Sequence, residues 1–473
     1  MSSKDPSTNV DDAERQPLIR KTNSIEATTN LLLEQSSSPL QHTPSIPRST
    51  SIKDLPPPPD GGQAWIQVFA GFLILLNTWG YINSYSLFSS YYTEDLGLDL
   101  TAVSWISSIQ IFLVFFLGTF SGRAADAGFF RLCMLSGVVL QLVGIFATSF
   151  ARIYWQLLLS QGIIGGVGSG LVFCPTISLI ATYFSSQKTL ALNTMASGTG
   201  VGGVVFPAIA QQLLPAVGFG WTVRVMGFVV LITSVIAVVL LKPRLPPRSS
   251  GAMVEWEAFK EKPYTLFTIG MFLTLWALYV AFSFVSPPHI SHFFVTDPTT
   301  QITRYATSII GTTRSTSLTI FLILNAMGTV GRILPGLLAG SLGVLNTMIP
   351  FTFLTSILYF VWIFISSETQ LFVFAVVFGL IDSAVQGLVL GGLSTVNPDP
   401  RKMGTRSGMI LSCVSIAALT GGPIFGALVE RGGNDGKGFL YANVWGGCSI
   451  FVGLCFLVAA RVAGVGWELS KKM

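Results

Sequence analysis

Residues 219–241 read FGWTVRVMGFVVLITSVIAVVLL, with a single charge at Arg224, and Lys242-Pro243-Arg244 follows at once. A helix on the surface of a soluble protein carries a polar stripe along one face; this run has none. At about 1.5 Å per residue it extends roughly 35 Å, enough to cross the roughly 30 Å hydrocarbon core of a bilayer. Eleven further apolar runs occupy about 64–90, 101–122, 130–150, 154–183, 188–213, 264–287, 312–339, 346–366, 369–396, 403–429 and 438–462. They are too long for the strands of a membrane barrel, and a spanning helix satisfies its own backbone hydrogen bonds. Composition agrees, with 51% hydrophobic and 10% charged residues against the roughly one quarter charged of a soluble domain. The expected fold class is an all-α membrane protein, twelve transmembrane helices in two six-helix bundles.

The break from Lys242 to Lys262, with Pro243, Pro246 and Pro247, divides the runs six and six. Five regions follow: a tail over 1–62, a first bundle over 63–241, a central loop over 242–262, a second bundle over 263–463 and a short tail over 464–473. With both termini cytoplasmic, the inner loops and tails hold 20 of the 27 Lys and Arg residues and the outer loops five. That asymmetry is the positive-inside pattern. The first outer loop, Tyr91 to Leu100, carries Glu94, Asp95 and Asp99 and no base.

The first 62 residues hold 9 prolines and 16 serines or threonines and no apolar stretch longer than Leu31-Leu32-Leu33. Such a composition offers too little apolar surface to offset ordering entropy, and it contains no signal peptide. Within it, Glu14-Arg15-Gln16-Pro17-Leu18-Ile19 resembles an acidic dileucine sorting signal. Sorting adaptors are thus a candidate partner and a vacuolar or endosomal membrane the alternative to the plasma membrane.

Charges inside the runs are few: Arg224 near the outer end of the sixth, Arg332 in the inner half of the eighth, Asp382 near the middle of the tenth. An Arg or Asp at a helix centre costs about 2.5–3.5 kcal/mol on insertion scales, so it normally faces a cavity or a partner. Arg224 is close enough to the end to snorkel. Polar side chains suited to a cavity wall are Asn77, Tyr81, Asn83 and Tyr85 in the first run, Asn193, His289 and Asn325. Glycines at 162, 166, 170, 198, 200, 202 and 203 read as close helix packing, because no Gly-Lys-Ser/Thr follows them as in a phosphate loop. The five cysteines lack metal-ligand spacing, and His42, His289 and His292 form no cluster with acids. Neither an enzyme centre, a metal, a cofactor nor a nucleic-acid partner is expected.

After the second run stands Gly122-Arg123-Ala124-Ala125-Asp126-Ala127-Gly128-Phe129-Phe130-Arg131, which resembles the loop signature of the major facilitator superfamily. Gly122, Asp126 and Arg131 are its gating candidates, Asp126 locking the inner face by pairing with a base or a helix N-terminus. The matching Ala339-Gly340-Ser341-Leu342-Gly343 of the second half lacks the acid. Asp60-Gly61-Gly62-Gln63-Ala64-Trp65 is similar to the opening motif of the monocarboxylate transporter branch, departing from it at Gln63. Tyr183-Phe184, Lys188 and Leu190-Ala191 resemble its second signature, and Asn325 with Gly331-Arg332 and Gly404 to Met409 resemble its fungal members. The resemblance covers about 60–463. It implies the major facilitator fold, an arginine at 332 that binds the substrate anion, and no cofactor. Where the branch's proton-linked members carry an aspartate and a lysine, this chain has Gly328 and Asn83.

The expectation is therefore a secondary transporter of a small or medium organic anion, working by alternating access. Its substrate-binding candidates are Arg332, Asn83, Tyr85, Asn325 and His289, and Asp382 is the coupling candidate. Asp60, Gly61, Gly62, Trp65 and Lys188 are the family-motif residues. The rival within transport is efflux of a larger, more apolar metabolite; the rival outside it is a nutrient sensor that signals through the tail.

Overall fold

The computed structural model describes residues 57–248, 251–278, 306, 310–312, 314–431, 437–468 and 471–473. The sorting residues Glu14, Leu18 and Ile19, and His289, lie outside the described residues. Among the described residues every regular element is helical.

Helix α1, Gly62–Asn83, breaks at Ser84 and resumes as α2, Tyr85–Glu94. The Asp99 carboxylate accepts from Ala102 N at 3.0 Å and caps α3, Leu100–Phe116, which leads into α4, Gly118–Ala124. A π turn at Ala125–Phe129 contains Gly128 at φ 97°, and α5, Phe130–Thr148, follows. Helix α6, Tyr154–Leu157, passes through a π segment into α7, Gly165–Tyr183. Helix α8 runs 53 residues, Lys188–Leu240, and is kinked at Gly218, φ 75°. Unbroken, it would measure about 80 Å, far more than a bilayer core, so a residue without Cβ is needed where the chain turns.

The break between halves holds a 3₁₀ turn, Trp256–Lys260. The second half comprises α9, Lys262–Leu278; α10, Arg314–Leu342; α11, Val344–Trp362; α12, Glu368–Thr395; α13, Met403–Arg431; and α14, Lys437–Val465. Ser367 and Gln370 close a capping box on α12. Nine helical runs among the described residues are long and apolar enough to cross a membrane. Two of them, Ala102–Thr148 and Lys188–Leu240, each contain two of the runs read from the sequence, and α9 has 17 described residues.

Helix α1 packs on α8, α10 on α12 and α9 on α14; the halves meet where α10 crosses α8 and α13 crosses α3 and α4. The glycine-rich stretch of α7 serves packing: a methyl group at Gly170 would stand 2.6 Å from the Leu113 carbonyl. Leu132, Val139, Ile232, Val239, Phe364 and Val373 are exposed, a dispersed apolar surface that suits lipid and not water. Arg224 lies over Phe150 at 4.4 Å and donates from Nε to Ser149 Oγ at 3.2 Å, an anchor near a helix end.

Candidate functional site

A cavity of about 70 Å³ lies between the two halves of the chain. From the first half, Leu75, Trp79, Phe115, Phe173, Ala196 and Thr199 line it, with Asn83. Trp79 meets Phe115 and Phe173 at ring-centroid distances of 5.4 and 5.8 Å, so this wall is a continuous aromatic cluster. From the second half come Asn325, Arg332, Phe378, Asp382, Ser383 and Gln386, with aliphatic residues around them. One wall is thus aromatic and the other carries the charges.

Arg332 and Asp382 are 6% and 3% exposed. Arg332 Nη1 donates to Gly328 O at 3.1 Å, and Nη2 donates to Gln386 Oε1 at 2.6 Å. Gln386 Nε2 donates in turn to Asp382 Oδ2 at 2.8 Å. Gly328 makes room for this arrangement: a Cβ there would stand 2.6 Å from Ser383 Oγ and 3.0 Å from Arg332 Nη1. Asn325 and Asn83 approach each other across Gly203, where a Cβ would lie 2.7 Å from Asn83 Nδ2.

A second arrangement closes the face that carries the central loop. Asp126 Oδ1 accepts from Gly404 N at 3.0 Å, and Oδ2 accepts from Thr405 N and Thr405 Oγ1, both at 2.7 Å. These amides are in the first turn of α13, where helix N–H groups have no partner within the helix and the dipole favours an anion. Burial pushes the Asp126 carboxyl up to about 6, while the Thr405 and Gly404 bonds and the charge of Arg248 pull it down. It remains mostly ionised at neutral pH. Beneath it Gly122 meets Gly404 backbone to backbone, and the buried Cys174 Sγ lies 3.6 Å from Gly404 O.

The central loop joins this closure. Arg248 N donates to Asp126 O at 2.7 Å and Arg123 Nη2 to Gly251 O at 3.1 Å. Glu255 pairs with Arg248 at 2.5 Å and Lys402 at 3.1 Å, and Arg406 forks onto Glu261. Burial raises the Glu255 carboxyl, but Lys402 and Arg248 outweigh it and hold it below the usual range.

The two motifs of the amino-terminal half also meet. The Asp60 carboxylate accepts from Ser185 N at 2.7 Å and from the Ser185 hydroxyl, and Trp65 packs edge-on against Phe184 at 5.4 Å. Gly61 and Gly62 stand at the start of α1, and Lys188 opens α8 near Asp60.

Of the residues singled out in the sequence, Arg332, Asp382, Asn83 and Asn325 share the cavity. Tyr85 does not line it: the break at Ser84 starts a new helix, and the Tyr85 hydroxyl donates to Val103 O. Asn77 donates to Ser234 Oγ at 2.9 Å, and Arg131 is exposed. Sequence reasoning missed Gln386, whose signal was its place four residues after Asp382, on the same helix face. It also missed the aromatic wall and Glu255.

Comparison with known proteins follows this geometry. Residues 68–399 match the family model of the Major Facilitator Superfamily. The chain is 40% identical over 410 residues to an "MFS-type transporter" of Gibberella zeae, covering 86% of this chain and 89% of that one. It is 29% identical over 433 residues to "Aspyridones efflux protein apdF" of Emericella nidulans, covering 90% and 82%. In structure it resembles the human organic anion transporter MFSD10 (TETRAN), with a TM-score of 0.65 at 12% identity, over 84% of this chain and 99% of that one. With matched profile, relatives and fold in agreement, the chain belongs to the major facilitator superfamily of membrane transporters.

Proposed function

We propose that this transporter moves an organic acid with a planar apolar body, using the cavity between the halves as its substrate site. The observation that carries this reading is the cavity's two-sided chemistry. Arg332 offers a charged planar fork suited to a carboxylate, and Trp79, Phe115 and Phe173 offer an apolar surface for the rest of the molecule. A small polar acid would leave that aromatic wall unused. The efflux named for the Emericella nidulans relative favours outward movement of a metabolite over uptake of a small monocarboxylate.

In this reading twelve helices form two six-helix bundles that rock about the cavity, with the termini and central loop on the cytoplasmic side. The Asp126 contact holds the cytoplasmic face shut, so the cavity opens outward when the outer ends part. Asp382 is the carboxylate able to change charge during the cycle, since an arginine stays protonated.

The test is transport into proteoliposomes of three probes: labelled lactate, 1-naphthoate and the neutral 1-naphthalenemethanol. The expected result is saturable movement of 1-naphthoate alone, lost in Arg332→Ala. Equal transport of the neutral alcohol, undiminished in Arg332→Ala, would sink the organic-acid reading. Preference for lactate would restore the monocarboxylate one.

A further inference from the structure

Among the described residues, Gln386 hydrogen-bonds to both charged residues of the cavity, and its amide has a fixed sense. A guanidinium only donates, so the amide end 2.6 Å from Arg332 Nη2 is the oxygen. The nitrogen must then face Asp382 Oδ2, at 2.8 Å, and donate to it. Asp382 is thereby held as an acceptor, the form that suits a carboxylate. Among the described residues, Arg332 is the only other charged or titratable side chain lining this cavity. On the helices packed against α12, Lys188 stands near Asp60, Arg224 lies on Phe150, Arg406 is engaged by Glu261, and Tyr359 donates to Ala277 O.

We propose that Gln386 couples occupancy of Arg332 to protonation of Asp382. An anion that takes Arg332 Nη2 displaces the amide oxygen. The amide then turns, and its N–H leaves Asp382. Two effects act in the same direction: the carboxylate loses a donor, and the neighbouring positive charge is neutralised by the bound anion. Both favour the neutral acid, so a proton from the open aqueous side joins Asp382 as the anion joins Arg332. The carrier then moves anion and proton together, the proton on an α12 carboxylate that Arg332 reaches through the Gln386 amide. This coupling rests on the substrate site proposed above.

The experiment is an infrared titration of the purified full chain, with the Asp382 carboxylic stretch assigned by subtraction of Asp382→Asn. In the free carrier, Gln386→Met removes both bonds at nearly constant volume. The Asp382 midpoint should rise by about one to two pH units, the scale of one hydrogen bond to a charged group. Gln386→Glu keeps the acceptor for Arg332, loses the donor to Asp382, and should raise the midpoint too, which covers the case in which Gln386→Met fails to fold. Adding 1-naphthoate at a concentration that saturates each protein, set from its own binding curve, should raise the wild-type midpoint and leave that of Gln386→Met nearly unmoved. Unchanged midpoints in the free variants, or the same probe-induced shift with and without Gln386, overturn the coupling. If 1-naphthoate binds equally well to Arg332→Ala, or fails to bind, it is the substrate-site reading that falls, and the coupling falls with it.

Discussion

At the scale of single residues, both carboxylates that matter are held by donors, and each gives an expectation. Asp126 uses both oxygens as acceptors for three donors. Asn at this position offers one acceptor and turns an NH₂ toward an amide N–H, so Asp126→Asn should loosen the closed face by about 1–3 kcal/mol. Spin labels at the exposed positions 131 and 341, at the start of α5 and in the last turn of α10, should then report a larger share of long distances by pulsed EPR. An unchanged distance distribution would remove Asp126 from the gate. At Arg332, Lys replaces a two-pronged contact by a point charge, and half-saturation for 1-naphthoate should rise about tenfold or more. An unchanged value in Arg332→Lys would show that the guanidinium does not hold the acid. Arg332 and Asp382 were legible in the sequence because a charge inside an apolar run demands an explanation. Gln386 was not, since a neutral amide raises no such demand and its partner Arg332 is 54 positions away. Tyr85 lies outside the cavity because the first helix ends at Ser84 and a new one begins, a break that hydropathy does not show.

At the scale of elements, α4 and α13 cross closely where side chains are absent. A Cβ on Gly404 would collide with Gly122 O and stand 2.6 Å from Asp126 Oδ1. Gly404→Val should therefore keep α4 and α13 apart and cut 1-naphthoate transport at least tenfold while the protein still inserts and folds. Wild-type turnover in that variant would mean that the two helices need not meet during the cycle. Hydropathy placed the helices well, because twenty apolar residues have few uses outside a bilayer. It could not show that the Lys242 to Lys262 stretch is more than a connector, since Glu255 finds Lys402 147 positions further on. The depressed Glu255 carboxyl also has a sign. Its contribution to closure is complete above the ordinary value of 4.5 and is lost only as pH falls through the lower folded value. Titration of transport between pH 5.5 and 8 should be the same in the wild type and in Glu255→Gln once surface amounts are matched; a profile altered by Glu255→Gln would assign the pH response to the loop.

At the scale of the whole molecule, the major facilitator superfamily was legible from the loop signature Gly122 to Arg131, and the fold brings the motif residues around Asp60 and Ser185 together. The substrate was not legible, because it is decided by which faces of α1, α3, α7, α10 and α12 turn toward one another. The amino-terminal hexapeptide Glu14 to Ile19 gives an expectation independent of the fold. Replacing Leu18 and Ile19 with Ala should move the protein from internal membranes to the cell surface without changing transport per molecule. An identical distribution by fluorescence microscopy would leave the hexapeptide without a sorting role.

The contact of Cys174 with Gly404 has a practical consequence. This thiol is fully buried where the closed face is tightest, whereas Cys448 and Cys455 are exposed. A buried thiol is inert and an uncovered one reacts. The protein thus carries its own clock: the rate at which a small maleimide alkylates Cys174, read by peptide mass spectrometry, measures how often the central-loop face opens, with no engineered label needed.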